Sequence, residues 1–132
     1  MEPRISVITL GVSDLQHAIR FYRDGLGLPM RDDKPPAVYF ELQGTWLALF
    51  PRDDLARYAH VSADGSGFTG VTLSCNVPSR QDVDLTMAQA QAAGGTLIDE
   101  PTDLSWGGYA GWFADPDGHL WEIIWNPRPF IP

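Results

Sequence analysis

The 132-residue chain has one cysteine, Cys75, so it can form no disulfide within itself and offers no multi-thiolate zinc cage. A reducing cytoplasm is the expected compartment. Basic residues are scarce, nine Lys and Arg against 17 Asp and Glu, for a formal net charge of −8. That sign is wrong for tracking a phosphate backbone by counterion release, so neither nucleic acid nor an anionic membrane is an expected partner. No apolar run approaches the roughly 20 residues a bilayer-crossing helix needs. The start, Met1-Glu2-Pro3-Arg4, runs into a short apolar stretch ending at Val12. It lacks the basic head, long apolar centre and small-residue cleavage site of a signal peptide. No serine or cysteine nucleophile motif occurs, and His17, His60 and His119 fall at no metal-ligand spacing. All three are expected in solvent.

What is present suits a folded domain: 44% hydrophobic and 20% charged residues, in a length that favours one domain. Residues 4 to 12, rich in β-branched side chains, read as a strand. Ser13-Asp14 can cap a helix whose apolar residues Leu15, Ala18, Ile19 and Tyr22 share a face, with Gly25 and Gly27 as its stop. Ala37 to Gln43 and Thr45 to Phe50 read as further strands, closing a first module over about 4–51. Residues 52–67, with a helical turn at Asp53 to Tyr58, read as a linker.

A second module follows over about 68–126, and an extended arm over 127–132 carries Phe130 and Ile131. Phe68 to Val77 reads as a strand, Ser79-Arg80-Gln81-Asp82 as a helix cap, and Val83, Met87 and Ala90 as one helix face ending at Gly94-Gly95. A strand from Thr96 to Asp99 and a hairpin of Tyr109 to Ala114 with His119 to Trp125 complete it, reversed by Asp115-Pro116-Asp117-Gly118. The halves repeat, with Ser13 and Ser79 offset by 66 and Gly27 and Gly94 by 67. The expected fold class is α+β: two βαβββ modules forming curved mixed sheets around a cleft, helices outside. A small molecule would enter such a cleft.

Leu10-Gly11-Val12-Ser13-Asp14-Leu15, Phe21-Tyr22, Leu26-Gly27 and Ala93-Gly94-Gly95 carry a resemblance, as does Gly107-Gly108-Tyr109 running on through Phe113-Ala114-Asp115-Pro116-Asp117-Gly118-His119-Leu120-Trp121-Glu122. Over nearly its whole length the chain resembles the vicinal oxygen chelate superfamily, the glyoxalase, bleomycin-resistance and dioxygenase fold. The resemblance implies four metal-ligating positions, two per module, which fall here on Val7, Ala48, about Thr72, with Ser74 or Asn76 as the alternatives at that position, and Glu122. Of these only Glu122 is a good donor. The family metal is therefore expected to be lost, and no cofactor is expected.

Glu122, in the last strand, is the expected catalytic residue: an apolar cleft lining would raise its pKa and make it a proton acceptor, or it would pair with a cationic ligand. The competing reading is a structural carboxylate. Expected ligand contacts are Thr9, Thr72 and Ser74, polar residues in apolar strands; Glu41, which faces either the cleft or water; and Trp46, Phe50, Trp106 and Tyr109. Most other aromatic residues, Trp112 among them, and Cys75 are expected in the core.

The expected function is binding of a small aromatic or cationic molecule, by sequestration or by rearrangement with Glu122 as base. A metal-dependent lyase or isomerase with Glu41 as an added ligand, and a non-catalytic interaction module, are the alternatives. A homodimer is expected.

Overall fold

The computed structural model describes residues 1–31 and 37–127. All of the expected C-terminal arm except Pro127 therefore lies outside the described residues. The chain divides into two compact units, Met1–Gly67 and Phe68–Pro132.

The first unit contains β1 (Val7–Val12), α1 (Leu15–Ile19) running into a π-helical segment (Arg20–Gly25), β2 (Val38–Phe40), β3 (Trp46–Pro51) and α2 (Arg52–Tyr58). Asp14 rather than Ser13 caps α1, its Oδ1 accepting the His17 backbone N–H at 3.0 Å. The expected apolar residues Ala18, Ile19 and Tyr22 are buried, and Phe21 joins them, its ring 5.0 Å from that of Tyr22 in an edge contact. The sheet order is β1-β3-β2, with β1 parallel and β2 antiparallel to β3. Next to β2, the backbone around Met30 supplies a partial fourth pairing: Arg31 N–H donates to Tyr39 O at 2.9 Å and Glu41 N–H to Pro29 O at 3.1 Å. The stretch read as a linker opens with the seven-residue helix α2.

The second unit is β4 (Leu73–Asn76), α3 (Arg80–Ala92), β5 (Thr96–Asp103), β6 (Tyr109–Ala114) and β7 (Leu120–Trp125), in sheet order β4-β7-β6-β5. Here the βαβββ order is complete. Ser79 caps α3, its Oγ accepting the Asp82 backbone N–H at 3.1 Å while pairing with the Asp82 carboxylate at 2.6 Å. Val83, Met87 and Ala90 are buried as the spacing predicts.

In the first unit β1 and β2 are shorter than the expected 4–12 and 37–43, and two strands of the second unit also differ from expectation. The strand read from Phe68 begins only at Leu73, after Gly70, whose φ of 82° departs from the extended backbone of a strand. Conversely, β5 continues to Asp103 through Pro101, with register shifts between Leu97 and Asp99 and between Asp99 and Thr102. An edge strand tolerates a proline and such irregularity because one side of its backbone needs no ladder partner. Pro101 also packs toward Gly111, where a Cβ would come within 3.0 Å of the proline ring and 3.2 Å of Met87 Cγ. Only glycine lets β6 approach this closely.

Candidate functional site

Successive strand residues point to opposite faces, so the registers sort each sheet into two sides. In the second unit one side faces α3. Gly111 lies against Met87 of that helix, and Phe113 and Ile123 are buried on the same side. The other side carries Ser74, Glu122 and Trp112. Ser74 is opposite Glu122 in the parallel β4–β7 pair, and Trp112 is opposite Glu122 in the antiparallel β6–β7 pair. The Ser74 hydroxyl donates to Glu122 Oε1 at 2.9 Å, which orients the carboxylate. Glu122 and Trp112 are half-buried.

Trp112 was expected in the core. The alternation of β6, in which Ala110, Trp112 and Ala114 share one side, puts it beside Glu122 instead. That parity within the strand is the sequence signal that would have found it.

Of the contacts expected in the second unit, only Ser74 is paired with Glu122. Thr72 is exposed and precedes β4; the residue beside Glu122 is Ser74. Tyr109 lies on the α3 side, where its hydroxyl donates to Asp84 Oδ1 at 2.7 Å and the Arg80 guanidinium sits 4.3 Å from its ring centroid. Donation to Asp84, aided by desolvation, holds the phenol above its usual pKa. Trp106, 45% exposed, is in the loop before β6, where its ring covers Gly108. Cys75 is exposed on the edge strand β4, not buried.

The first unit repeats the arrangement with other side chains. Thr9, Ala48 and Tyr39 form one row across its sheet. Ala48 is the third residue of six in β3, as Glu122 is in β7. Trp46 and Phe50 alternate onto this same side as Thr9 and Ala48. Glu41 is exposed just past β2, and its Oε2 accepts from Arg31 Nη1 at 3.4 Å. The Arg31 guanidinium also stands 4.9 Å from the Trp46 ring centroid. Thr9, Trp46, Phe50 and Glu41 thus belong to one surface of the first unit, and Ser74 and Glu122 to one surface of the second.

The Asp115-Pro116-Asp117-Gly118 segment is structural. Asp115, 3% exposed, accepts the backbone N–H groups of Asp117 at 2.9 Å and His119 at 2.8 Å through Oδ1. This fixes the turn that feeds Glu122 into the sheet.

The donor set does not fit the divalent metal that the family resemblance implies. Val7 and Ala48 present hydrocarbon, and the partner of Glu122 is a serine hydroxyl. Among the described residues, no three His, Cys, Asp or Glu side chains come together as ligands. Also among them, no helix is long and apolar enough to cross a membrane.

Comparison with known proteins agrees with this architecture. A solved glyoxalase-related enzyme from Fulvimarina pelagi is 34% identical, with a TM-score of 0.85 over 95% of this chain and 89% of that one. A metallothiol transferase FosB from Lysinibacillus sphaericus is 28% identical over 125 residues, which is 90% of this chain and 79% of the relative. The solved lactoylglutathione lyase from Agrobacterium tumefaciens, 22% identical over all of both chains with a TM-score of 0.74, shares the fold. The model of the Glyoxalase/Bleomycin resistance protein/Dioxygenase superfamily matches residues 4–123, and the chain belongs to that superfamily.

Proposed function

We propose that the chain binds a small organic molecule on the Glu122 side of its second sheet, with Glu122 as hydrogen-bond or proton acceptor. The observation that carries this reading is the Ser74–Glu122–Trp112 row: an oriented carboxylate beside an indole, on the side turned away from α3. A carboxylate held by a hydroxyl donor can accept a ligand proton with its remaining lone pairs. The indole beside it supplies a flat apolar wall.

Ligand binding to the folded state raises apparent stability by mass action, by about 2.7 kcal/mol at a concentration one hundred times Kd. A thermal-shift screen of small molecules on wild type and Glu122→Gln is the test. Hits whose stabilisation is lost or strongly reduced in Glu122→Gln support the site. Hits equally effective on both proteins overturn it.

A second reading, a metal-dependent transferase or lyase, draws on similarity to proteins named metallothiol transferase and lactoylglutathione lyase. It would require donors that Val7 and Ala48 do not provide. Stoichiometric zinc, manganese or nickel in protein purified without chelator, lost together with activity in Glu122→Gln, would favour it.

A further inference from the structure

Asp99 extends the Glu122 row by one strand. It is opposite Trp112 in the β5–β6 pair, while Trp112 is opposite Glu122 and Glu122 opposite Ser74. Directly paired residues share a side of the sheet, so the order across all four strands is carboxylate, indole, carboxylate, hydroxyl. Neighbouring strands are about 4.8 Å apart, which places the two carboxylate-bearing backbones about 10 Å apart with the indole between them. Asp99 is exposed and Trp112 half-buried.

Among the described residues, neither Asp99 nor Glu122 forms an ion pair with Arg, Lys or His. The unit itself is short of cations, with eight Asp and Glu between Phe68 and Pro132 against two arginines, Arg80 and Arg128. Of these, Arg80 is engaged with Asp103 on the α3 side.

We infer that the Trp112 row selects an organic cation, a quaternary or protonated amine seated on the indole between Asp99 and Glu122. This rests on the small-molecule reading of the Glu122 side and specifies its ligand class. An indole face attracts a cation through its quadrupole. Two carboxylates with no cationic partner among the described residues add Coulombic attraction and penalise anions. A neutral or anionic ring of equal size would gain only the stacking.

The test uses the full chain and three probes of similar size: benzyltrimethylammonium, benzyl alcohol and benzoate. Binding is followed by calorimetry and by the Trp112 indole N–H resonance. The inference predicts that the ammonium binds and shifts that resonance, with an affinity that falls as salt rises, and that the other two bind at least tenfold more weakly. Asp99→Asn and Trp112→Leu should each weaken ammonium binding about three- to tenfold. Asp99 is exposed, so its variant tests the inference even if Trp112→Leu fails to fold.

Ammonium binding that is indifferent to Asp99→Asn overturns the inference. So does benzoate or benzyl alcohol binding as tightly as the ammonium; if that binding is lost in Glu122→Gln, the ligand class is wrong while the small-molecule reading stands. If no probe binds in a Glu122-dependent way, and the thermal-shift screen likewise yields no Glu122-dependent hit, both fall.

Discussion

Ser74 and Glu122 face each other across the parallel β4–β7 pair, joined by a 2.9 Å hydrogen bond from the serine hydroxyl to Glu122 Oε1. The bond is solvent-exposed, so its net contribution to folding is at the low end of the range for a hydrogen bond, about 0.5 kcal/mol. Its larger consequence is orientation. Ser74→Ala should leave the urea midpoint nearly unchanged while weakening Glu122-dependent ligand binding severalfold. Equal binding by wild type and Ser74→Ala would remove the positioning role.

The turn before β7 depends on Asp115, whose buried carboxylate satisfies two backbone N–H groups. Asp115→Ala leaves both donors without that partner, at a cost of about 1–3 kcal/mol. Chemical denaturation should show that loss. Ligand binding per folded molecule, measured well below the melting temperature, should fall by less than in Glu122→Gln.

Phe113 is 1% exposed and anchors the α3 side of the second sheet, with the Trp121 ring stacked on it at 6.2 Å. Truncation to Ala removes the ring and leaves a cavity, so about 3–5 kcal/mol of stability should be lost. A midpoint shift equivalent to less than about 1 kcal/mol would show that this side is not the core of the unit.

Asp103 is held below the usual carboxylate pKa chiefly by the hydrogen bond from Arg80, opposed by desolvation. A pKa depressed in the folded state contributes stability above the unfolded value, about 4, and loses it as pH falls through the folded value. Asp103→Asn should therefore be less stable than wild type at pH 6, with the difference shrinking toward pH 3. The pair is exposed, so the effect is small. Tyr109 behaves oppositely: its raised pKa contributes stability below about pH 10 that is lost as pH rises through the folded value. Tyr109→Phe should flatten that alkaline loss.

Much of the fold was legible because its signals are local. Ser79 stands where a cap is needed, and Val83, Met87 and Ala90 recur at helical spacing. The Asp115 to Gly118 segment carries the residues of a reversal. Glu122 could be placed on the last strand for the same reason. What escaped depended on pairing between strands. Trp112 looked like core because aromatic residues usually are, but strand parity puts it beside Glu122. Tyr109 looked like a mouth residue because glycines precede it, yet it is an odd-numbered neighbour of Gly111 and Phe113 and so faces α3. Asp99 entered the Glu122 row only through the register shift after Leu97, which no local pattern specifies.

The most direct test follows the indole N–H resonances of the five tryptophans during titration with a ligand found by thermal shift, in wild type and Glu122→Gln. The Trp112 resonance should move in a saturable way in wild type and stop responding in the variant. Saturable movement of Trp46 or Trp106 alone, unchanged by Glu122→Gln, would contradict it.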